Sequence, residues 1–207
     1  MRNVNRKYLS NAELKEAHLN FPDNMPKGYR AYCNIYGKLF ALLLEVPMNC
    51  RLLDVGCNSG ELALMFKERN LCHVTAIDIS PELVAKAQSK GIDVLCADAE
   101  KLPFKNGTFD CVHLSEVIEH SYAPDKILKE IRRVLKPGGL LVGSTVDEET
   151  LNANGALPWD DDRLHAYSYG LDSIHALISK RFQKVHTYRS ICPQSVISIM
   201  FRGQKGE

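Results

Sequence analysis

At 207 residues, with 45% hydrophobic and 25% charged side chains, the chain has the size and balance of one globular domain with a substantial core. Its formal net charge of +1 gives no overall attraction to nucleic acid or to an anionic membrane. The seven cysteines (Cys33, Cys50, Cys57, Cys72, Cys96, Cys111 and Cys192) form no C-x-x-C pair, so a reducing cytoplasm is expected rather than a disulfide or zinc framework.

The opening MRNVNRKYLSN lacks the apolar run of a signal peptide. Residues 1–47 are expected to form a helical segment. Asn11–Leu14 opens a short helix, Pro22 and Pro26 close it, and Lys27–Val46 carries an apolar stripe at Tyr29, Tyr32, Cys33, Tyr36, Phe40 and Leu43. The longest apolar stretch, Leu39–Met48, is interrupted by Glu45 and is too short to span a bilayer. The remaining core, 48–207, alternates. Strands are predicted at Arg51–Val55, His73–Ile77, Ile92–Cys96, Phe109–Leu114 and Leu140–Ser144. Helices are predicted at Glu61–Glu68, Pro81–Lys90 and Pro124–Leu135, the second with Ser80 as N-cap and Pro81 in its first turn, the third stopped by Pro137-Gly138-Gly139. Such alternation gives a parallel sheet with right-handed crossovers. At the end, Phe182–Arg189 and Gln194–Arg202 are joined by a link too short for a crossover helix, so they must pair antiparallel. The expected architecture is a doubly wound, seven-stranded α/β sheet, mostly parallel, with an antiparallel last strand.

The stretch LLDVGCNSGE, Leu52–Glu61, runs from a strand through a tight glycine turn into a helix. That order lets backbone approach a ligand and aims a helix N-terminus at it, outside the carboxyl end of a strand. A dinucleotide fingerprint would need glycines where Asn58 and Glu61 stand, so that reading fails. The segment Asp54–Gly60 resembles the first motif of the class I S-adenosylmethionine (SAM) dependent methyltransferases, an acidic residue followed by Gly-x-Gly-x-Gly. Asn58 replaces the middle glycine, a position that asparagine tolerates if the backbone there is left-handed. FDCVHLSEVIEH and IRRVLKPGGLLV are also similar to that family, the ubiquinone-biosynthesis type above all, and the likeness spans residues 50–145.

The resemblance implies a Rossmann-like methyltransferase fold with SAM as cofactor and residues 1–47 covering its pocket. It implies that Asp54 acts near the methionine ammonium, and that Gly56, Cys57, Asn58 and Gly60 line the turn, where a side chain at Gly60 would enter the cofactor's space. Asp78, followed by Ile79, ends the second strand where an α/β nucleotide binder accepts from ribose hydroxyls. Asp98 and Ala99 would meet the adenine, and Leu114 and Ser115 would border the methionine half.

Acceptor chemistry points to Glu116, Glu119 and His120 after the fourth strand and to His165 after the fifth, all on one edge of the sheet. His120 and His165 suit a base or orienting role in methyl transfer. Two carboxylates and two imidazoles also suit a divalent metal, as in the small-RNA 2′-O-methyltransferases, which a similar Glu-x-x-Glu-His resembles, and buried histidines without chemical role are the third reading. The loop 147–163 holds six acidic residues and Trp159; it is either a solvated surface loop or a substrate-selecting one, and in the second case it disfavours a phosphate backbone and suits an amine or polar metabolite. The expected activity is SAM-dependent methylation of a small molecule, on oxygen first. The alternatives are metal-assisted 2′-O-methylation of RNA ends and a non-catalytic SAM-binding module.

Overall fold

The computed structural model describes residues 45–147, 165–190 and 198–207, so the predicted helix over 27–46 and the loop around Trp159 lie almost wholly outside the described residues. Seven strands form one sheet: β1 (Arg51–Val55), β2 (His73–Asp78), β3 (Asp93–Cys96), β4 (Phe109–Ser115), β5 (Leu135–Val146), β6 (Gln183–Ser190) and β7 (Ser198–Gln204). Their order is β3-β2-β1-β4-β5-β7-β6, and β7 runs antiparallel to both of its neighbours. The chain winds outward from β1 through β2 to β3, then returns to lay β4 on the other side of β1. That reversal opens a crevice at the carboxyl ends of β1 and β4.

Residues alternate between two buried faces. Leu53, Val55, Val112, Leu114 and Leu141 meet helices α3 (Pro124–Val134) and α4 (Leu171–Ser179) through Ile127, Leu128, Ile131, Ile174 and Ile178. On the other face, Leu52, Cys111 and Val142 pack on Phe66 of α1 (Glu61–Arg69), while Ala76 and Val94 pack on Val84 and Ala87 of α2 (Pro81–Ser89). Each such apolar side chain contributes about 1.5–3 kcal/mol by leaving water. α2 starts as its sequence dictates, with Ser80 Oγ accepting from the Leu83 amide and Pro81 in the first turn. Among the described residues no helix is long and apolar enough to cross a membrane.

Two elements differ from expectation. The fifth strand begins at Leu135, immediately after α3, and the Pro137-Gly138-Gly139 turn is an irregularity inside it rather than a helix stop. Phe109 pairs with Leu135 and Cys111 with Leu140, so the strand absorbs the extra residues as a bulge. The second difference is α4, whose Leu171, Ile174, Leu177 and Ile178 show helical spacing that the sequence reading passed over.

Candidate functional site

The glycine turn is built from three left-handed residues, Gly56 (φ 74°), Asn58 (φ 53°) and Gly60 (φ 85°). Asn58 thus takes the conformation that lets it stand in for glycine, and its Oδ1 accepts from the Ser59 amide at 2.6 Å. The amides of Gly56 and Cys57 donate to the Ile77 carbonyl at 2.8 and 3.0 Å, tying the turn to β2. A side chain at Gly56 would overlap Val117 Cγ2. The expectation for Gly60 is corrected. A Cβ there would meet Ala87 Cβ at 3.0 Å and Ile92 Cγ1 at 3.5 Å, so it would enter the packing between α1 and α2 and not the crevice.

Around this turn, Asp78 is nearly buried, with Oδ2 accepting from the Asn58 amide at 2.8 Å and Oδ1 from the Ser80 amide at 2.9 Å. Its carboxylate is therefore a brace for the turn. Asp98 is half-buried and accepts from the Glu100 amide at 2.9 Å, with Ala99 beside it packed on the core. Ile79 is half-buried, and its carbonyl accepts from Cys96 Sγ at 3.5 Å. Cys57 and Leu114 turn their side chains into the core, where burial pushes the Cys57 thiol far up and holds it as the inert thiol.

Asp54 is 1% exposed and makes a contact that sequence reasoning missed. Its Oδ1 lies 2.6 Å from His113 Nδ1, and His113 Nε2 lies 2.7 Å from Ser115 Oγ. The hydrogen-bond network assigns the ring proton to Nδ1, facing the carboxylate, and leaves Nε2 to accept the serine hydroxyl. Phe66 closes the site with its ring edge on the imidazole, centroids 5.0 Å apart. The second carboxylate oxygen, Oδ2, is buried with no hydrogen-bond partner among the described residues. The signal was present: Asp54 and His113 would be register partners if β1 and β4 pair in parallel, and they are.

Beyond β4 the chain turns through Glu116, itself left-handed (φ 53°), into a 3-10 turn at Ile118–His120. Glu116 Oε1 accepts from Ser144 Oγ at 2.9 Å, anchoring that carboxylate on β5. Glu119 is 1% exposed, and its carbonyl accepts from the amides of Ala166 and Tyr167 at 2.7 and 3.2 Å. Those two bonds hold the 165–170 segment against the turn. They bring His165 onto His120, edge to face, with ring centroids 4.8 Å apart. A Glu119 carboxylate oxygen and one nitrogen of each ring all lie within 4.8 Å of one another. Neither Glu119 oxygen has a hydrogen-bond partner among the described residues. Burial first, and the Glu116 charge second, push its carboxyl up to about 8, against the opposing pull of His165. Tyr169, also buried, has its hydroxyl pushed well up by burial and by Glu119.

Residues 53–143 match the family described as "Methyltransferase domain". They form a class I SAM-dependent methyltransferase domain. The domain is 35% identical over 119 residues to a malonyl-[acyl-carrier protein] O-methyltransferase of Herminiimonas arsenicoxydans, covering 57% of this chain and 45% of that one. It is 41% identical over 99 residues to a demethylmenaquinone methyltransferase of Thermus thermophilus, covering 44% and 45%. The chain spans about half the length of the curated relatives it matches. The methyltransferase fold extends further. A Burkholderia thailandensis 1,6-didemethyltoxoflavin-N1-methyltransferase, solved with 1,6-didemethyltoxoflavin and S-adenosylhomocysteine, superposes with a TM-score of 0.75 over 99% of this chain and 94% of that one, at 17% identity.

Proposed function

We propose that the chain transfers a methyl group from SAM to a small acceptor, and that an oxygen is the atom methylated. The observation that carries this is the meeting of His120 and His165 beyond the carboxyl end of β4, beside the crevice that the glycine turn borders. The relatives named above include methyltransferases of quinone and carrier-protein substrates, whereas the named relatives lend nothing to RNA ends.

The residues present fit the cofactor. Asp54 Oδ2 is a buried acceptor in want of a donor, which the methionine ammonium supplies. Asp78, held by the Asn58 and Ser80 amides at the end of β2, stands where an α/β nucleotide binder meets ribose hydroxyls. Asp98 and the Ala99 amide stand at the next strand end for the adenine. Ser115 stands at the end of β4 for the methionine half, already held by His113. SAM brings a methyl group already activated on a sulfonium. What is left to the chain is to align an acceptor and to remove its proton. We assign that proton to His165 or His120, with residues 1–47 as cover for the pocket.

The test is a transfer assay with methyl-labelled SAM against separate metabolite and RNA pools, run with and without chelator. Label in a small metabolite, unaffected by chelator, supports the reading; label in RNA only, or loss with chelator, replaces it with the metal-assisted alternative. Tight SAM binding without transfer to any pool makes the chain a binding module.

A further inference from the structure

We propose that a cavity on the opposite edge of the sheet from the cofactor crevice is a further binding site, one that takes a diphosphate group. The site goes beyond the methyl-transfer reading and does not depend on it.

The cavity measures about 400 Å³ and is lined by Asn106, Lys129, Arg132, Arg133, Arg181 and Lys205. Topology gathers these residues. Arg132 and Arg133 lie at the end of α3 just before β5, Arg181 precedes β6, Asn106 precedes β4, and Lys205 follows the antiparallel β7. They meet where β4, β5 and β6 begin, whereas the crevice lies where β1 and β4 end. The seven residues of β4 set the two edges about 20 Å apart.

Five cations line the cavity, and two of them are already matched. Arg133 spends its donors on Glu130, on the Leu102 and Phe104 carbonyls and on Asn106 Oδ1, so it gives the cavity a fixed wall and a charge. Arg181 takes both oxygens of Asp125, and its carbonyl accepts from Arg132 Nε at 3.0 Å. Beyond that one bond the Arg132 guanidinium has no partner among the described residues. Lys205 donates to the Leu135 carbonyl at 2.6 Å and meets no carboxylate among the described residues. Lys129 makes no ion pair among them either, although its charge helps to lower the Asp125 and Glu130 carboxyls. Set against Asp125 and Glu130, the five cations leave three positive charges in excess. Desolvation first, and the Arg132 charge second, hold the Lys205 ammonium below the usual lysine range. Such like charges oppose each other until an anion stands between them.

Cations at the end of α3 suit its dipole and cap its last carbonyls, which accounts for Lys205 on Leu135. That role leaves Lys129 and the terminal nitrogens of Arg132 unused. A phosphate monoester carries about 1.5–2 negative charges at neutral pH, so one phosphate leaves the excess part-matched and a diphosphate meets it. Guanidinium and ammonium groups are the donors that phosphate oxygens favour, and here Arg132 is already oriented by its bond to Arg181, which lowers the ordering cost of binding. The excess is gathered in one cavity on a chain of formal net charge +1, which suits a small anion rather than the long backbone of a nucleic acid.

Calorimetry on the full chain in about 0.15 M salt tests this with inorganic diphosphate, ADP and orthophosphate as probes. The proteins are wild type, Lys129→Gln/Arg132→Gln, and Lys67→Gln/Arg69→Gln, which removes the same charge from the exposed end of α1. We expect wild type to bind a diphosphate with Kd below about 1 mM, and orthophosphate at least about ten-fold more weakly. The cavity variant should lose at least about ten-fold at an unchanged melting temperature, and the α1 variant should stay within about two-fold. SAM affinity should be the same with and without saturating diphosphate, because the edges are separated by more than the screening length of about 8 Å. ADP bound at least as tightly as inorganic diphosphate makes a nucleotide the source, and weaker ADP makes it the free anion; both support the site. No diphosphate bound at about 10 mM overturns the proposal, as do equal losses in the two variants. Competition between diphosphate and SAM overturns it too, by placing the anion in the crevice. So does a single-stranded RNA oligomer that binds more tightly than any diphosphate and is lost in the cavity variant, for it makes the patch a nucleic-acid surface.

Discussion

Asp54 and His113 face each other across β1 and β4 with Oδ1 and Nδ1 2.6 Å apart, both almost fully buried, and the far Asp54 oxygen has no partner among the described residues. One oxygen is committed to the fold, and the proposed role of the other is to accept from the cofactor's ammonium. The imidazole holds the carboxylate in place and is itself held by Ser115.

Replacing His113 by Ala therefore leaves a buried carboxylate oxygen unpaired. The expected loss is about 1–3 kcal/mol of folding stability, or more if the carboxylate stays ionised, and a urea melt without cofactor measures it. Stability unchanged within a few tenths would mean that the pair contributes nothing to the fold.

Asp78→Ala should weaken SAM binding by about 1.5–3 kcal/mol, roughly ten- to a hundred-fold in Kd. Because both oxygens also receive backbone amides of Asn58 and Ser80, the cofactor-free protein should melt lower as well. Calorimetry that finds affinity within two-fold of wild type would remove Asp78 from the cofactor site.

For Gly60→Val the two measurements should move together. The side chain meets Ala87 in α2 at a left-handed position, so the helix start is strained and the turn displaced. A lower melting temperature without cofactor is expected along with lost SAM affinity. Lost affinity at an unchanged melting temperature would put the side chain in the crevice instead.

Glu119 makes stability depend on pH. Its folded-state carboxyl, near 8, lies above the value for an unfolded glutamate, about 4.3. Between those values the folded chain binds the extra proton, so the contribution is complete below the unfolded value and is lost as pH rises toward 8. Glu119→Gln should flatten that slope and melt higher than wild type at pH 8. An identical pH slope in the two proteins would show that Glu119 is already ionised in the fold.

Much of the fold was legible because strand and helix periods are local: Leu52 and Leu53 already point to opposite faces, and Ser80-Pro81 opens α2 where it should. The antiparallel pairing of β6 and β7 followed from a link too short for a helix. What escaped depended on contacts distant in sequence. Whether Pro137-Gly138-Gly139 stops a helix or bulges a strand is decided by the pairing of Leu135 with Phe109. The direction of a Gly60 side chain is set by Ala87, 27 positions on. His113 read as one more residue of a strand until its register with Asp54 was known, and Glu119 gained its place only when two backbone bonds brought His165 beside it. Residue types named the candidates for acceptor chemistry; the 3-10 turn and the 165–170 segment brought them together.

The central claim, methyl transfer with His120 and His165 handling the acceptor's proton, is tested most directly by measuring transfer from labelled SAM into a metabolite pool alongside SAM affinity, in wild type, His120→Ala and His165→Ala. The account predicts label in a small molecule with wild type, turnover lower by about 10²–10⁴-fold in the variant that removes the base, and SAM affinity nearly unchanged in both. Turnover that merely follows the stability of each variant, with no defect specific to either histidine, would contradict it.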